Sequence, residues 1–293
     1  MGAIGFYIFY AINWIVTLLP LPILYVLSDF LYLVLYYVLS YRRKVVADNL
    51  RKSFPEKSAI ERKVIEKKFY RHLSDLMIEI LKLTHMSKKQ SLKHMKITNI
   101  ELLERLHDEG RDVIAVIGHY NNWEWLKSLI YHTKLQTVSI YKPLQDKRFD
   151  NFLLGLRKRG GMILTPMSLI VREILEARKT GRRSIYSFIS DQTPPKADIK
   201  YWTTFLNQDT PVYLGVEKIA SKYDMAVVFF NVSKIKRGYY SYCPELLFEH
   251  TSGLPEHVIT ESHVRRLEEV IREKPEYWIW SHRRWKHIKP AVE

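Results

Sequence analysis

The chain is poor in several things, and each shortage excludes something. One cysteine, Cys243, stands among 293 residues, so no intrachain disulfide can form, which fits a reducing compartment. There is no CxxC and no Cys/His cluster, which argues against a structural zinc site. There is no GxxxxGKS/T and no GxGxxG, so a nucleotide phosphate cradle has no support. HExxH and GxSxG are absent too, which removes the usual signs of a zinc hydrolase and of a serine nucleophile elbow. No repeat, low-complexity tract or Gly/Ser linker divides the sequence. Acidic residues are scarce: 31 Asp and Glu face 46 Lys and Arg, leaving a net charge of +15. That excess calls for a polyanionic partner, whether nucleic acid, an anionic membrane, a phosphorylated substrate or an acidic carrier protein.

What is present begins with apolar residues, 47% of the chain and enough for a packed core. They are densest at the start. Ile4 to Leu19 is almost free of polar residues, Pro20 and Pro22 interrupt it, and Ile23 to Leu39 continues it with Asp29 as the only charge. A span needs ~20 apolar residues. The run therefore reads as one tilted span or as two half-inserted helices folded at the prolines, with a buried core hairpin as the alternative. No basic segment precedes it and no small-residue cleavage site follows, unlike a signal peptide. Arg42, Arg43 and Lys44 come next, which places the remainder on the cytoplasmic side. The partition expected is a membrane-anchoring segment, residues 1–40, and one catalytic domain, residues 41–293.

Val45 to Leu83 reads as helical with a break near Phe54-Pro55, and Ser58 with Glu61 forms a capping-box pattern. Lys88 to Lys96 reads as a basic loop. Strands are expected at Val113–Ile117, Thr137–Tyr141, Met162–Leu164, Ser184–Ile189 and Met225–Val232, with an edge strand at Tyr239–Phe248. Helices are expected at Ile100–Leu106, Phe149–Leu156, Leu169–Ala177, Pro211–Ser221 and Glu261–Glu273. Such alternation predicts an α/β fold with a mostly parallel or mixed central sheet flanked by helices.

The stretch Asp112 to Leu126 organises the rest. Its buried strand is broken by Gly118, His119 follows in the loop, and Glu124 lies in the first turn of the next helix, where open α/β sheets place their chemistry. With Asn121 or Asn122 as the N-cap, Glu124 can fold back toward the imidazole and fix its tautomer, leaving the other nitrogen free to take a proton. No serine accompanies the pair, so the nucleophile has to come from the substrate. The bland alternative is a surface histidine beside a capping carboxylate. Three other strand ends add polar groups on the same edge. These are Lys142, the Arg157/Arg159 pair, and Asp191 with Gln192. Cations there can neutralise an oxyanion or hold a phosphate. Asn122, Lys142, Arg157, Arg159, Asp191 and Gln192 are the candidate substrate contacts.

The C-terminal stretch interleaves Tyr277, Trp278, Trp280 and Trp285 with His282, Arg283, Arg284, Lys286, His287 and Lys289. Aromatics among cations suit single-stranded nucleic acid and equally an interfacial belt on an anionic membrane. The apolar N-terminus favours the membrane, with one or two tryptophans free to be core.

In order along the chain, DNLRKSFPE (48–56), GHYNNWEW (118–125), YKP (141–143) with the following RKRGG, SDQ (190–192) and PEYWIWSHRRWKH (275–287) resemble the lauroyl/myristoyl secondary acyltransferases of lipid A biosynthesis in Gram-negative bacteria, within the glycerolipid acyltransferase superfamily. The resemblance runs from about residue 40 to the terminus. It implies that His119 takes a proton from an acceptor hydroxyl, that Glu124 orients it, and that Lys142, where many members have arginine, belongs to a basic site. It implies an acyl carrier protein (ACP) or coenzyme A thioester as donor, a phosphorylated lipid A precursor as acceptor, no metal or other cofactor, and an inner-membrane enzyme with its catalytic domain on the cytoplasmic face. The anionic membrane, the acidic carrier and the lipid acceptor then account for the basic surface, and no nucleic acid is needed. Two alternatives remain: the same transfer to a lysophospholipid, glycolipid or aminolipid, and a non-catalytic, membrane-anchored binder of polyanions.

Overall fold

The computed structural model describes residues 2–290; residue 1 and residues 291–293, the outer ends of the two expected units, lie outside the described residues. Two apolar helices open the chain, α1 (Ala3–Val16) and α2 (Leu21–Leu33), the latter extended by a π-helical turn at Val34–Val38. Pro20 caps α2 and Pro22 lies in its first turn, where a missing N–H costs nothing. The elbow between the helices is held from below, where buried Lys82 donates to the Thr17 carbonyl at 2.7 Å and the Leu19 carbonyl at 2.8 Å. The stretch Leu21–Val38 is long and apolar enough to cross a membrane by length and composition.

These helices are apolar on both faces, and most of the few polar side chains they carry lie inward. Asn13, Thr17 and Ser28 are buried against the protein, while Ile23, Val26, Phe30 and Leu33 face outward. A soluble surface helix shows the opposite arrangement.

Next come α3 (Arg43–Ser53) and α4 (Ala59–Lys82), separated at Phe54 and Pro55 as expected, and α4 opens with the predicted capping box. The expected loop at Lys88 to Lys96 is instead a helix, α5 (Lys88–His94), and a strand, β1 (Met95–Ile97). A second capping box, Ser87 with Gln90, starts that helix despite its charge.

The remaining elements are α6 (Ile100–Asp108), β2 (Val113–Ile117), a 3₁₀ helix (Trp123–Tyr131), β3 (Gln136–Tyr141), α7 (Lys147–Lys158), β4 (Ile163–Pro166), α8 (Ile170–Lys179), β5 (Ser184–Ile189), β6 (Tyr201–Phe205), β7 (Gln208–Val212), α9 (Gly215–Tyr223), β8 (Ala226–Lys236), β9 (Tyr239–Phe248) and α10 (Val258–Glu273). Seven strands form one mixed sheet in the order β1-β9-β8-β2-β5-β3-β4. The five strands from β8 to β4 are mutually parallel, and β9 turns back antiparallel to β8.

Two expectations are corrected here. Tyr239–Phe248 is the edge only in its second half, because the three residues of β1 pair outside Tyr240 to Tyr242. The helix expected from Pro211 starts at Gly215. Pro211 belongs to a separate β6–β7 hairpin, whose two turn residues, Leu206 and Asn207, both take positive φ. That backbone matches the right-handed twist of paired strands.

The central strand β2 is buried along its whole length. Its alternation sorts the core. Ile114 and Val116 pack with α8 and α9 on one face, and Val113, Ala115 and Ile117 pack with the 3₁₀ helix on the other.

Candidate active site

Parallel pairing of β2 with β5 sets Ile117 opposite Ile189. His119 and Asp191 each lie two residues further on, so neighbouring strands deliver both to the same edge. The Asp191 carboxylate is 1% exposed. It accepts from His119 Nδ1 at 2.6 Å through one oxygen, and from the His119 backbone N–H at 2.7 Å and the Trp278 indole at 2.8 Å through the other. Burial alone pushes the Asp191 carboxyl up. The His119 charge and these hydrogen bonds outweigh it and hold the group below the usual carboxylate range. A carboxylate that only accepts fixes the proton on Nδ1 and leaves Nε2 as the basic nitrogen.

Gly118 makes this approach possible. A Cβ there would sit 2.6 Å from Leu267 Cδ1 and 3.5 Å from the Asp191 carboxylate. The loop then turns sharply. Asn121 takes a left-handed φ of 54°, its N–H donates to the Tyr277 carbonyl at 2.9 Å, and its amide donates to the Val232 carbonyl at 2.6 Å.

Glu124, expected to fold back onto His119, does not reach it; Asp191, expected as a substrate contact, holds the imidazole instead. Glu124 is held by Arg157, which donates from Nε to one carboxylate oxygen at 2.9 Å and from Nη2 to the other. The cause lies in the secondary structure. The segment after His119 is a 3₁₀ helix, whose tighter winding aims Glu124 at the end of α7. In such a helix residues three apart eclipse, so Lys127 lies beneath Glu124 and donates to the Leu156 carbonyl at 2.7 Å. Burial pushes the Lys127 ammonium down to about 8, with Arg159 adding to the effect and Glu124 opposing it.

Asn122, expected at the substrate, is completely buried. Its Oδ1 accepts from the Trp125 N–H at 3.1 Å and so caps the 3₁₀ helix, and its amide donates to Glu79 at 2.7 Å. The two arginines also separate. Arg157 reaches Glu124, whereas Arg159 is exposed and donates to the Thr84 carbonyl.

A cavity of about 510 Å³ opens beside the imidazole. His119, Glu124, Lys142, Arg157 and Gln192 all line it, together with an apolar wall that includes Leu153, Met162 and Phe188. Lys142 is exposed at its rim. The Gln192 amide lies 3.2 Å from His119 Nε2, and the Trp123 ring meets the imidazole edge-on at 4.8 Å between centroids. A mostly apolar wall with a few convergent polar groups is the usual character of a ligand pocket.

The sequence pattern missed the C-terminal stretch as part of this site. Trp278 and Trp280 are core rather than interfacial, and Arg284 is buried with them, donating to the Pro211 carbonyl at 2.7 Å. The register of neighbouring strands, which needs the strand order, is the signal that would have paired Asp191 with His119.

No curated protein matches this chain. The model of one family, described as bacterial lipid A biosynthesis acyltransferase, matches residues 2–287. With nearly the whole chain covered, the protein belongs to the bacterial lipid A biosynthesis acyltransferase family.

Proposed function

We propose that this acyltransferase moves a fatty acyl chain from an ACP thioester to a hydroxyl of a lipid A precursor, with His119 as general base. The observation that carries the reading is an imidazole whose Nδ1 is fixed by a buried carboxylate and whose Nε2 borders the cavity. The acceptor hydroxyl displaces the Gln192 amide from Nε2 and gives its proton there. Its oxygen attacks the thioester carbonyl, the C–O bond forms, and collapse of the tetrahedral oxyanion breaks the C–S bond. The departing thiolate takes the proton back from the imidazolium, which Asp191 has stabilised meanwhile. Arg157 and Lys142 are the cations at hand for the oxyanion or for a lipid phosphate. The apolar wall holds the acyl chain. No nucleophile of the protein is acylated, and no metal or other cofactor takes part.

The outward-facing apolar residues of α1 and α2 seat the protein in the inner membrane from the cytoplasmic side, where Arg42, Arg43 and Lys44 meet anionic headgroups. Carrier protein and phosphorylated acceptor are the two anionic partners.

The test uses full-length protein in phospholipid vesicles, with acyl-ACP or acyl-coenzyme A as donor and a lipid A precursor or a lysophospholipid as acceptor, read by mass spectrometry. The reading expects an added acyl chain on the lipid A precursor that His119→Ala abolishes. Transfer to the lysophospholipid alone would sink the assignment of acceptor, and undiminished transfer by His119→Ala would sink the mechanism.

A further inference from the structure

The one carboxylate of α4 that reaches the catalytic loop is Glu79, and it has no exposed surface. It accepts three side-chain hydrogen bonds. Tyr25 of α2 donates to Oε1 at 2.8 Å. Tyr240 of β9, at 2.8 Å, and Asn122, at 2.7 Å, donate to Oε2. The Glu79 backbone carbonyl accepts from the Trp125 indole at 2.9 Å. Both Asn122 and Trp125 belong to the turn that follows His119. The Asn122 carbonyl is held in addition by the Tyr242 hydroxyl at 2.6 Å.

One turn earlier on α4, Asp75 repeats the arrangement. It accepts from Ser28 of α2 at 2.7 Å, and from Arg237 and Lys234 of the β8–β9 hairpin at 2.6 Å and 3.3 Å. Arg237 also donates to Asp29 of α2 at 2.6 Å. Thus the inward face of α2, the apolar helix, is latched to α4, and the latch ends at the loop that aims His119. A carboxylate this deep usually has a cation bonded to it. The side chains bonded to Glu79 are hydroxyls and an amide, and burial pushes it up to about 6 although the nearby Lys234 charge and the Tyr240 and Tyr25 hydroxyls oppose it. Retaining a charge there is costly, and packing alone does not call for one.

We infer that Glu79 is a positioning residue for the His119 loop, and that through Tyr25 it makes the geometry of that loop depend on how α2 is seated. The inference rests on the acyl transfer proposed above. Its physical content is donor–acceptor complementarity. Asn122 fills both its roles only when its Oδ1 turns to Trp125 and its amide turns to an acceptor at position 79. Loss of that acceptor frees the amide to rotate, the cap of the 3₁₀ helix loosens, and His119 loses its fixed approach.

The complementarity can be reversed. Glu79→Leu removes the acceptor, whereas Glu79→Gln keeps an oxygen that can turn to Asn122 while its NH₂ meets the Tyr25 hydroxyl. Asn122→Asp places two carboxylates together. In the double variant an amide at 79 faces a carboxylate at 122, and aspartate caps a helix as well as asparagine does. Glu79→Leu and Asn122→Asp are each expected to lose about tenfold or more in kcat, the scale of one charge-assisted hydrogen bond, with KM for the acyl donor unchanged, and Glu79→Gln alone to lose little. The double variant is expected to recover most of the Asn122→Asp loss, and Tyr25→Phe to lower kcat several-fold.

The measurements are transfer kinetics in vesicles, normalised to folded protein by the thermal unfolding midpoint. A residue that only stabilised the fold would shift the midpoint and leave normalised kcat alone, and that result would overturn the inference. So would a double variant no better than Asn122→Asp alone. An unaffected kcat in Tyr25→Phe would remove the dependence on α2. His119→Ala is the control: if it transfers acyl groups as well as the unmodified protein, the catalytic reading itself has failed, independently of Glu79.

Discussion

His119 and Asp191 stand at the same offset, two residues beyond Ile117 and Ile189, which are partners in the register of β2 and β5. The sheet itself thus carries the contact between imidazole and carboxylate, and no long loop has to find it. Both oxygens of Asp191 are used, one on the imidazole and one on the backbone N–H of the same residue. The ring is fixed in position as well as in tautomer.

Asp191→Asn therefore disturbs three donors at once. The amide can keep one oxygen for Nδ1, but its NH₂ then faces the backbone N–H and the Trp278 indole. We expect kcat to fall about 10²–10⁴-fold, the usual worth of an oriented general base, with KM nearly unchanged. Steady-state transfer kinetics decide this. A loss below about threefold would mean that the orienting group lies elsewhere.

Glu124 and Arg157 form a two-pronged pair at the cavity wall, with side chains 12% and 23% exposed. Lysine cannot reproduce the fork of a guanidinium. Arg157→Lys and Glu124→Gln should each lower kcat/KM, by about tenfold or more. The double variant should lose little beyond the poorer single one, because both remove the same unit. Fully multiplicative losses would show that the two residues serve the reaction separately.

How much of this was legible depended on the range of the interaction. The strand at Val113–Ile117, the Ser58–Glu61 cap and the break at Phe54-Pro55 are written in adjacent residues, and the sequence shows them. The family could be read from its blocks. The partner of His119 could not, because Glu124 is five residues away and Asp191 seventy-two, and only strand order decides between them. The winding of Trp123–Tyr131 escaped for a related reason: apolar spacing is similar in 3₁₀ and α-helices over two turns, while the side-chain directions differ enough to turn Glu124 toward Arg157. Trp278 and Trp280 looked interfacial because cations surround them in sequence. In space Arg283, Lys286 and Lys289 are exposed and the two indoles buried, while Arg284 is buried with them and His282 and His287 are half-buried.

Gly118 offers a test by stability. A methyl group there would meet Leu267 at 2.6 Å, and overpacking of this kind costs about 1–3 kcal/mol. Gly118→Ala should therefore lower the unfolding free energy by that amount. Leu267→Ala alone should destabilise as well, by leaving a cavity. Combined, the two should cost less than their sum, since each relieves the other. Additive losses in denaturant titrations would place the strain of Gly118→Ala at another contact.

The last prediction concerns acid. His263 is buried in α10, and burial pushes its imidazole down to about 4, although Glu217 and Glu261 act the other way. Between pH 6.5 and 4 the unfolded chain binds a proton there that the folded chain refuses, so stability falls as pH falls through this window. At 1.36 kcal/mol per pH unit the contribution amounts to about 3 kcal/mol. His282, also pushed down to about 4, acts in the same sense, whereas Glu79, raised to about 6, acts in the opposite one. Wild-type protein alone thus cannot report on His263, but its difference from His263→Gln can, because the other groups cancel. That difference in unfolding free energy should shrink by about 3 kcal/mol as pH drops from 7 to 4. Parallel curves would show that His263 takes up its proton in the folded protein as readily as in the unfolded chain.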